Sequence, residues 1–337
     1  MEIRKLEKSE NNSTRFLYEE IFLEDSKNFV DYYYTEKTKD NQIYVVEEDG
    51  EIRAMLHLNP YELMVNGTKK DANYIVAVAT QKEYRRRGYM AELLKRSLRD
   101  MYKEGQTFTF LMPAAESIYL PHDFRTVYEQ DRRYYNEERN MIGEICDSEV
   151  SVSVATEEDC ESLAEWANAV LFEHFQVYAK RSKDYYERLI KEYQSDSGKL
   201  MIVRKGGEIA DCLISVSEEE HEKPKMMVRI VDVRRMLMAM KVKSLMAVCF
   251  QIIDPIIEEN NRVVVITGTE YSGLMLMDSK PENSEGIMTV AALTSLLFGA
   301  KTVDEVYKED GVTMSERMKG EMEKIIPLSK IYLNEVV

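Results

Sequence analysis

Cysteine is scarce in this chain: there are four, Cys146, Cys160, Cys212 and Cys249, and no two form a C-x-x-C pair. A disulfide frame and a thiolate zinc site are both poorly served by that pattern, and reduced, mostly buried thiols of a cytoplasmic protein are the simpler reading. Histidine is equally sparse. His57, His122, His174 and His221 never fall at metal-ligand spacing, so no metal is expected. No stretch approaches the roughly 18 continuous apolar residues of a membrane-spanning helix, and the charged start MEIRKLEKSENNSTRFLYEE has no apolar core like that of a secretory leader. No membrane partner is expected. Basic residues are in the minority, 45 Lys and Arg against 61 Asp and Glu for a formal net charge of −16, which argues against nucleic acid as a partner. The same acidity suits a cationic or amine-bearing substrate, and it serves solubility just as well.

What is present is ordinary globular material. At 337 residues, 44% hydrophobic and 31% charged, the chain has room for two or three domains with cores of their own. Phe16, Leu17, Ile21, Phe22, Phe29, Val30 and Tyr33 recur at helical spacing over the first 35 residues. Strand-like runs follow at 43–48, 51–58, 61–65 and 74–80, separated by Asp49-Gly50, Asn59-Pro60 and Asn66-Gly67. Asp-Gly and Asn-Gly supply the positive φ of tight hairpins, so an antiparallel meander is expected from residue 43 to about 80.

The stretch 76–101, VAVATQKEYRRRGYMAELLKRSLRDM, is the most informative. Arg85, Arg86, Arg87 and Gly88 stand where a strand gives way to an amphipathic helix, whose apolar face is Met90, Leu93, Leu94, Leu98 and Met101. A helix start offers unpaired N–H groups, and arginines there oppose the helix dipole unless an anion is close by. The loop reads as a phosphate site, with a surface basic cluster as the alternative.

Val78-Ala79-Thr80 followed by Tyr84-Arg85-Arg86-Arg87-Gly88 resembles the acyl-CoA signature R/Q-x-x-G-x-G/A of the GNAT N-acetyltransferases, with Met90 departing from the pattern's final Gly or Ala. Residues 111–124, LMPAAESIYLPHDF, are similar to the segment after the fifth strand in the enhanced-intracellular-survival (Eis) acetyltransferases, with Pro121 and Asp123 replacing that family's arginine and glycine. The resemblance implies acetyl-CoA as co-substrate, held by Val78, Ala79, Thr80, Arg85, Arg86, Arg87, Gly88, Tyr89 and Met90. It implies Tyr119 as general acid toward the departing thiolate, against the alternative of a packing tyrosine. The family's buried C-terminal carboxylate implies Val337 as general base, against a solvated chain end.

From residue 146 the pattern restarts with a strand, two helices and a hairpin through Gly206-Gly207, ending at the charged stretch 217–224. Val228-Arg229-Ile230-Val231-Asp232-Val233 and 293–300, LTSLLFGA, resemble the Eis family's C-terminal sterol-carrier-like domain. The methionines gathered there, among them Met236, Met238, Met240, Met246, Met275 and Met277, suit core filling or an adaptable pocket. The expected fold is α/β (α+β): tandem GNAT acetyltransferase-like domains at 1–145 and 146–224, with mixed, largely antiparallel sheets flanked by helices, and a sterol-carrier-like α+β domain at 225–337. The implied activity is acetyl transfer to a small-molecule or peptide amine, aminoglycoside-like or lysine, by a homo-oligomer. A non-catalytic CoA sensor is the rival reading.

Overall fold

The computed structural model describes residues 1–135, 149–216 and 223–335; Cys146, His221, the stretch 217–222 and Val337 lie outside them. The first segment runs β1 (Glu2–Lys5), α1 (Arg15–Ile21), α2 (Lys27–Thr35), β2 (Gln42–Glu48), β3 (Glu51–Val65), β4 (Thr68–Thr80), α3 (Tyr89–Lys103), β5 (Phe108–Leu111), α4 (Glu116–Tyr119) and β6 (Arg125–Glu129). Strands β1 to β4 are successive antiparallel neighbours. Asp49-Gly50 and Asn66-Gly67 turn the hairpins with positive φ at all four residues. Strand β1 escapes the sequence pattern because EIRK has too few apolar residues; Arg4 fastens it by pairing with Glu10 and Glu47.

The turn expected at Asn59-Pro60 is absent, and β3 runs unbroken through it. The reason is topological. On the side away from β4, β3 is paired with β2 as far as Leu58 and with a later strand only from Leu63. Pro60 lies in that gap, where its missing N–H interrupts less of the ladder.

The second segment contains β7 (Val150–Val154), α5 (Cys160–His174), β8 (Val177–Ala179), α6 (Lys183–Ser195), β9 (Lys199–Lys205) and β10 (Glu208–Ser215). Strands β10-β9-β7 form a three-stranded sheet. It closes on α5 and α6 around Cys160, Leu163, Ala164, Ala167, Tyr186, Ile190, Leu200 and Ile202. The third segment runs β11 (Lys225–Ile230), α7 (Val233–Met238), β12 (Lys241–Val242), β13 (Met246–Ile253), β14 (Arg262–Thr269), β15 (Gly273–Asp278), β16 (Gly286–Thr289), α8 (Val290–Leu297), β17 (Thr313–Met314), β18 (Ile325–Ile326) and β19 (Ile331–Tyr332). Its five-stranded sheet has the order β15-β14-β13-β16-β17. Met236, Met240 and Met246 are buried there, whereas Met238, Met275 and Met277 are exposed.

All three segments share one large sheet. Its main path is β1-β2-β3-β4-β5-β11-β6, with β8 on β3 and β19 parallel to β8. The strand that opens the third segment, β11, thus sits between β5 and β6 of the first. The chain's last strand reaches the same sheet through β8.

Candidate active site

Strand β4 parts from β5 at one place. The two are parallel neighbours only at Tyr74–Phe110 and Ile75–Leu111. Two residues on, Ala77 has φ 48° and the β3–β4 register gains a residue on β4, a bulge that bends the strand. Beyond it the Gln81 N–H bonds the Arg53 carbonyl of β3. By the alternation of a strand, the backbone groups of Val78 and Thr80 then point into the space that β5 has vacated. Thr80 confirms this, since its carbonyl accepts from Arg85 Nε at 3.3 Å. Ala79 is buried in the core instead.

The free edge leads into the arginine loop. Arg86 and Gly88 both adopt left-handed backbone, at φ 63° and 85°, and Gly88 caps α3 with no side chain to accept the helix's first N–H groups. Those groups face outward beside the exposed Arg85, Arg86 and Arg87. Arg87 lies 4.5 Å above the Tyr84 ring and bonds the Glu83 carbonyl, and Tyr89 is buried with its hydroxyl on Glu48. Met90 is partly buried and packs against the core.

Tyr119 ends α4 with its ring buried, edge-on to Phe124 at 5.9 Å. Burial pushes its phenol up to about 12, so it remains a proton donor throughout the neutral range. The turn after it needs left-handed backbone at Asp123, φ 65°, which an aspartate tolerates better than most residues. Arg229 of β11, fully buried, holds that turn: Nε donates to the His122 carbonyl at 2.9 Å and Nη2 pairs with Asp254 at 2.7 Å.

A cavity of about 260 Å³ opens in the gap beside β3, lined by Asn41, Asn59, Tyr61, Tyr185, Glu192 and Glu335 among others. Asn59 stands opposite Tyr74 across the β3–β4 pair, so the cavity lies one strand from the fork. The rings of Tyr74 and Phe110 stack at 5.0 Å, with Tyr61 5.9 Å from Phe110. Glu192 is buried and pushed up by desolvation against the pull of Lys37, 3.6 Å away. A larger cavity of about 570 Å³, lined by residues of all three segments, Trp166, Phe175, Tyr186 and Tyr332 among them, shares Tyr185 and Leu189 with the first.

Residues 333–335 are tied down beside this wall, and Glu335 lines it. Gln130 donates to the carbonyls of Leu333 and Glu335, both at 3.0 Å, and Tyr128 donates to Asn334 at 2.7 Å. The Glu335 carboxylate takes Arg181 Nη1 and the Tyr185 hydroxyl, each at 2.8 Å. Gln130, Arg181 and Glu335 carry no local sequence signal, and Arg229 is legible only as part of a motif; each acts through partners far along the chain.

Comparison with known proteins gives the first segment a family. Residues 2–127 match the family described as acetyltransferase (GNAT) domain. No curated protein matches by sequence. Among solved structures the chain is similar to a probable N-acyltransferase of Enterococcus faecalis V583, at 13% identity over 98% of both chains with TM-score 0.77. It is similar to a GCN5-related N-acetyltransferase of Kribbella flavida, at 14% identity over 100% of both chains with TM-score 0.76. Eis1 of Mycobacterium abscessus matches at 13% identity over 100% of both chains with TM-score 0.69. At such identities these likenesses speak to the fold, which they share along the whole chain, while the family match speaks to the first segment. Residues 2–127 thus belong to the GNAT acetyltransferase domain family.

Proposed function

We propose that the chain transfers the acetyl group of acetyl-CoA directly to a primary amine of a small molecule or peptide. The observation that carries this reading is the β4 edge from Val78 to Thr80, with no strand neighbour on the β5 side among the described residues, running straight into an uncapped helix start ringed by Arg85, Arg86 and Arg87. An extended pantetheine arm suits the free strand edge, and a pyrophosphate suits the amides and arginines. The amine lone pair attacks the thioester carbonyl, the C–N bond forms and the C–S bond breaks. A base takes the amine proton, and Tyr119 donates its own to the sulfur.

For the base we favour the terminal carboxylate of Val337. Its support is the tail as far as Glu335, which is anchored beside the cavity one strand from the fork. We further assign the segments 1–145, 146–224 and 225–337 as acetyltransferase, shortened acetyltransferase-like and sterol-carrier-like domains of a cytoplasmic homo-oligomer. Among the described residues no helix is long and apolar enough to cross a membrane. The test is CoA-thiol release from acetyl-CoA with a panel of amines, using the wild type, Tyr119→Phe and a chain extended past Val337. Slowing by both changes is expected. An extended chain with full activity removes the terminal carboxylate from the mechanism, and CoA binding without amine turnover favours a non-catalytic sensor.

A further inference from the structure

The 260 Å³ cavity has two features that its position beside the fork does not explain. The first is a set of unmet amides. Asn59 and Asn41, 1% and 3% exposed, both line it, and Asn59 Nδ2, Asn59 Oδ1 and Asn41 Oδ1 have no hydrogen-bond partner among the described residues. The two residues are neighbours, because Gln42 pairs with Leu58 and Asn41 and Asn59 are the next positions along. Burying an amide without a partner is costly, so atoms left in this state at a cavity wall point to a partner that arrives from outside.

The second feature is charge that is already spent. Arg188 pairs with Asp40 at 2.7 Å, Lys180 with Glu62 at 2.9 Å, Lys37 with Glu192 at 3.6 Å and Arg181 with Glu335 at 2.8 Å. Of the carboxylates lining the cavity, Asp184 makes no ion pair with a described residue. A cavity with one uncommitted carboxylate and a set of neutral donors and acceptors has little to offer a polycation.

Resting on the acetyl-transfer reading above, we infer that this cavity selects a small acceptor with one ammonium group and a neutral carboxamide. The carboxamide meets Asn59 and Asn41, and the ammonium is drawn by Asp184. A primary carboxamide is the complement of an asparagine side chain: its N–H donates to an Oδ1 while its carbonyl accepts from Asn59 Nδ2. The acceptor indicated is therefore unlike the aminoglycoside that the acidic composition suggested.

The test uses the full chain saturated with acetyl-CoA. The probes are ω-amino carboxamides with one to four methylenes, methyl esters of the same lengths, and spermidine as the polycation. Thiol release gives kcat/KM, and calorimetric binding of the same probes reports recognition without turnover. The best carboxamide is expected to exceed its ester by about ten- to a hundredfold, since the ester keeps a carbonyl for Asn59 Nδ2 but has no N–H for the asparagine Oδ1 atoms. Asn59→Leu, of similar volume, is expected to abolish that preference while acetyl-CoA still binds; if it does not fold, Asn59→Ser and Asn41→Ala take its place. Preference for spermidine, or an undiminished amide preference in the variants, overturns the inference. Carboxamide binding that depends on Asn59 without acetylation upholds this recognition and refutes acetyl transfer. Acetylation of amines with no amide preference does the reverse.

Discussion

Arg181→Met isolates the contact that holds Glu335 in place. Arg181 and Glu335 are 6% and 1% exposed, joined at 2.8 Å, and the carboxylate's other oxygen is held by Tyr185. Removing the guanidinium strands a buried carboxylate, a change that typically costs ~3–5 kcal/mol. With an unfolding entropy of ~2.1 cal/mol/K per residue, 337 residues melting as one unit give about 0.7 kcal/mol/K. The expected fall in Tm is thus about 4–7 °C by scanning calorimetry. Glu335→Met on the same background removes the stranded charge, so the double variant should recover most of the loss. A single variant within about 1 °C of wild type, or a double variant that recovers nothing, refutes the coupling and with it this anchor for the tail.

Tyr119→Phe should slow thiol release by about 10²–10⁴ while acetyl-CoA binding by calorimetry is retained. His57 is fully buried against the Tyr33 hydroxyl, and burial holds its imidazole down to about 3. An unfolded histidine titrates near 6.5, so between those values only the unfolded chain gains the proton and stability falls with pH, by up to ~1.4 kcal/mol per unit. Urea midpoints between about pH 7 and 4.5 should show that slope in the wild type and a shallower one in His57→Gln. Arg229→Met should lower kcat with little change in KM for acetyl-CoA, because it unties the His122 carbonyl, in the turn behind Tyr119, from the Arg229–Asp254 pair; steady-state kinetics decides.

Where an element is local, the sequence reveals it. The Asp49-Gly50 and Asn66-Gly67 hairpins, the amphipathic face of α3 and the Arg85–Gly88 loop all depend on neighbours a few residues away. Asn59-Pro60 misleads because the same dipeptide serves a turn or a strand with a one-sided gap, and only the ends of β2 and β8 tell which. Residues 225–230 read clearly as a strand, yet alternation cannot say that its partners are β5 and β6. Asp123 shows the converse: its departure from glycine leaves the left-handed turn intact. Arg181 and Glu335 meet across 154 residues, and the unmet amides of Asn59 and Asn41 exist only once β2 and β3 are paired. Such features belong to the assembled sheet, and no spacing in the chain announces them.

On the proposed function, the open β4 edge and the loop it feeds hold coenzyme A. Gly88 needs φ 85° to start α3, and although a Cβ there would meet nothing within 4 Å, its backbone conformation disfavours any other residue. The direct measurement is calorimetric titration of acetyl-CoA into the wild type and Gly88→Val. Saturation at one acetyl-CoA per chain, with affinity at least tenfold weaker in the variant by the order of one lost helix-start contact, is the predicted result. Equal affinity in both chains, or no binding to either, contradicts it.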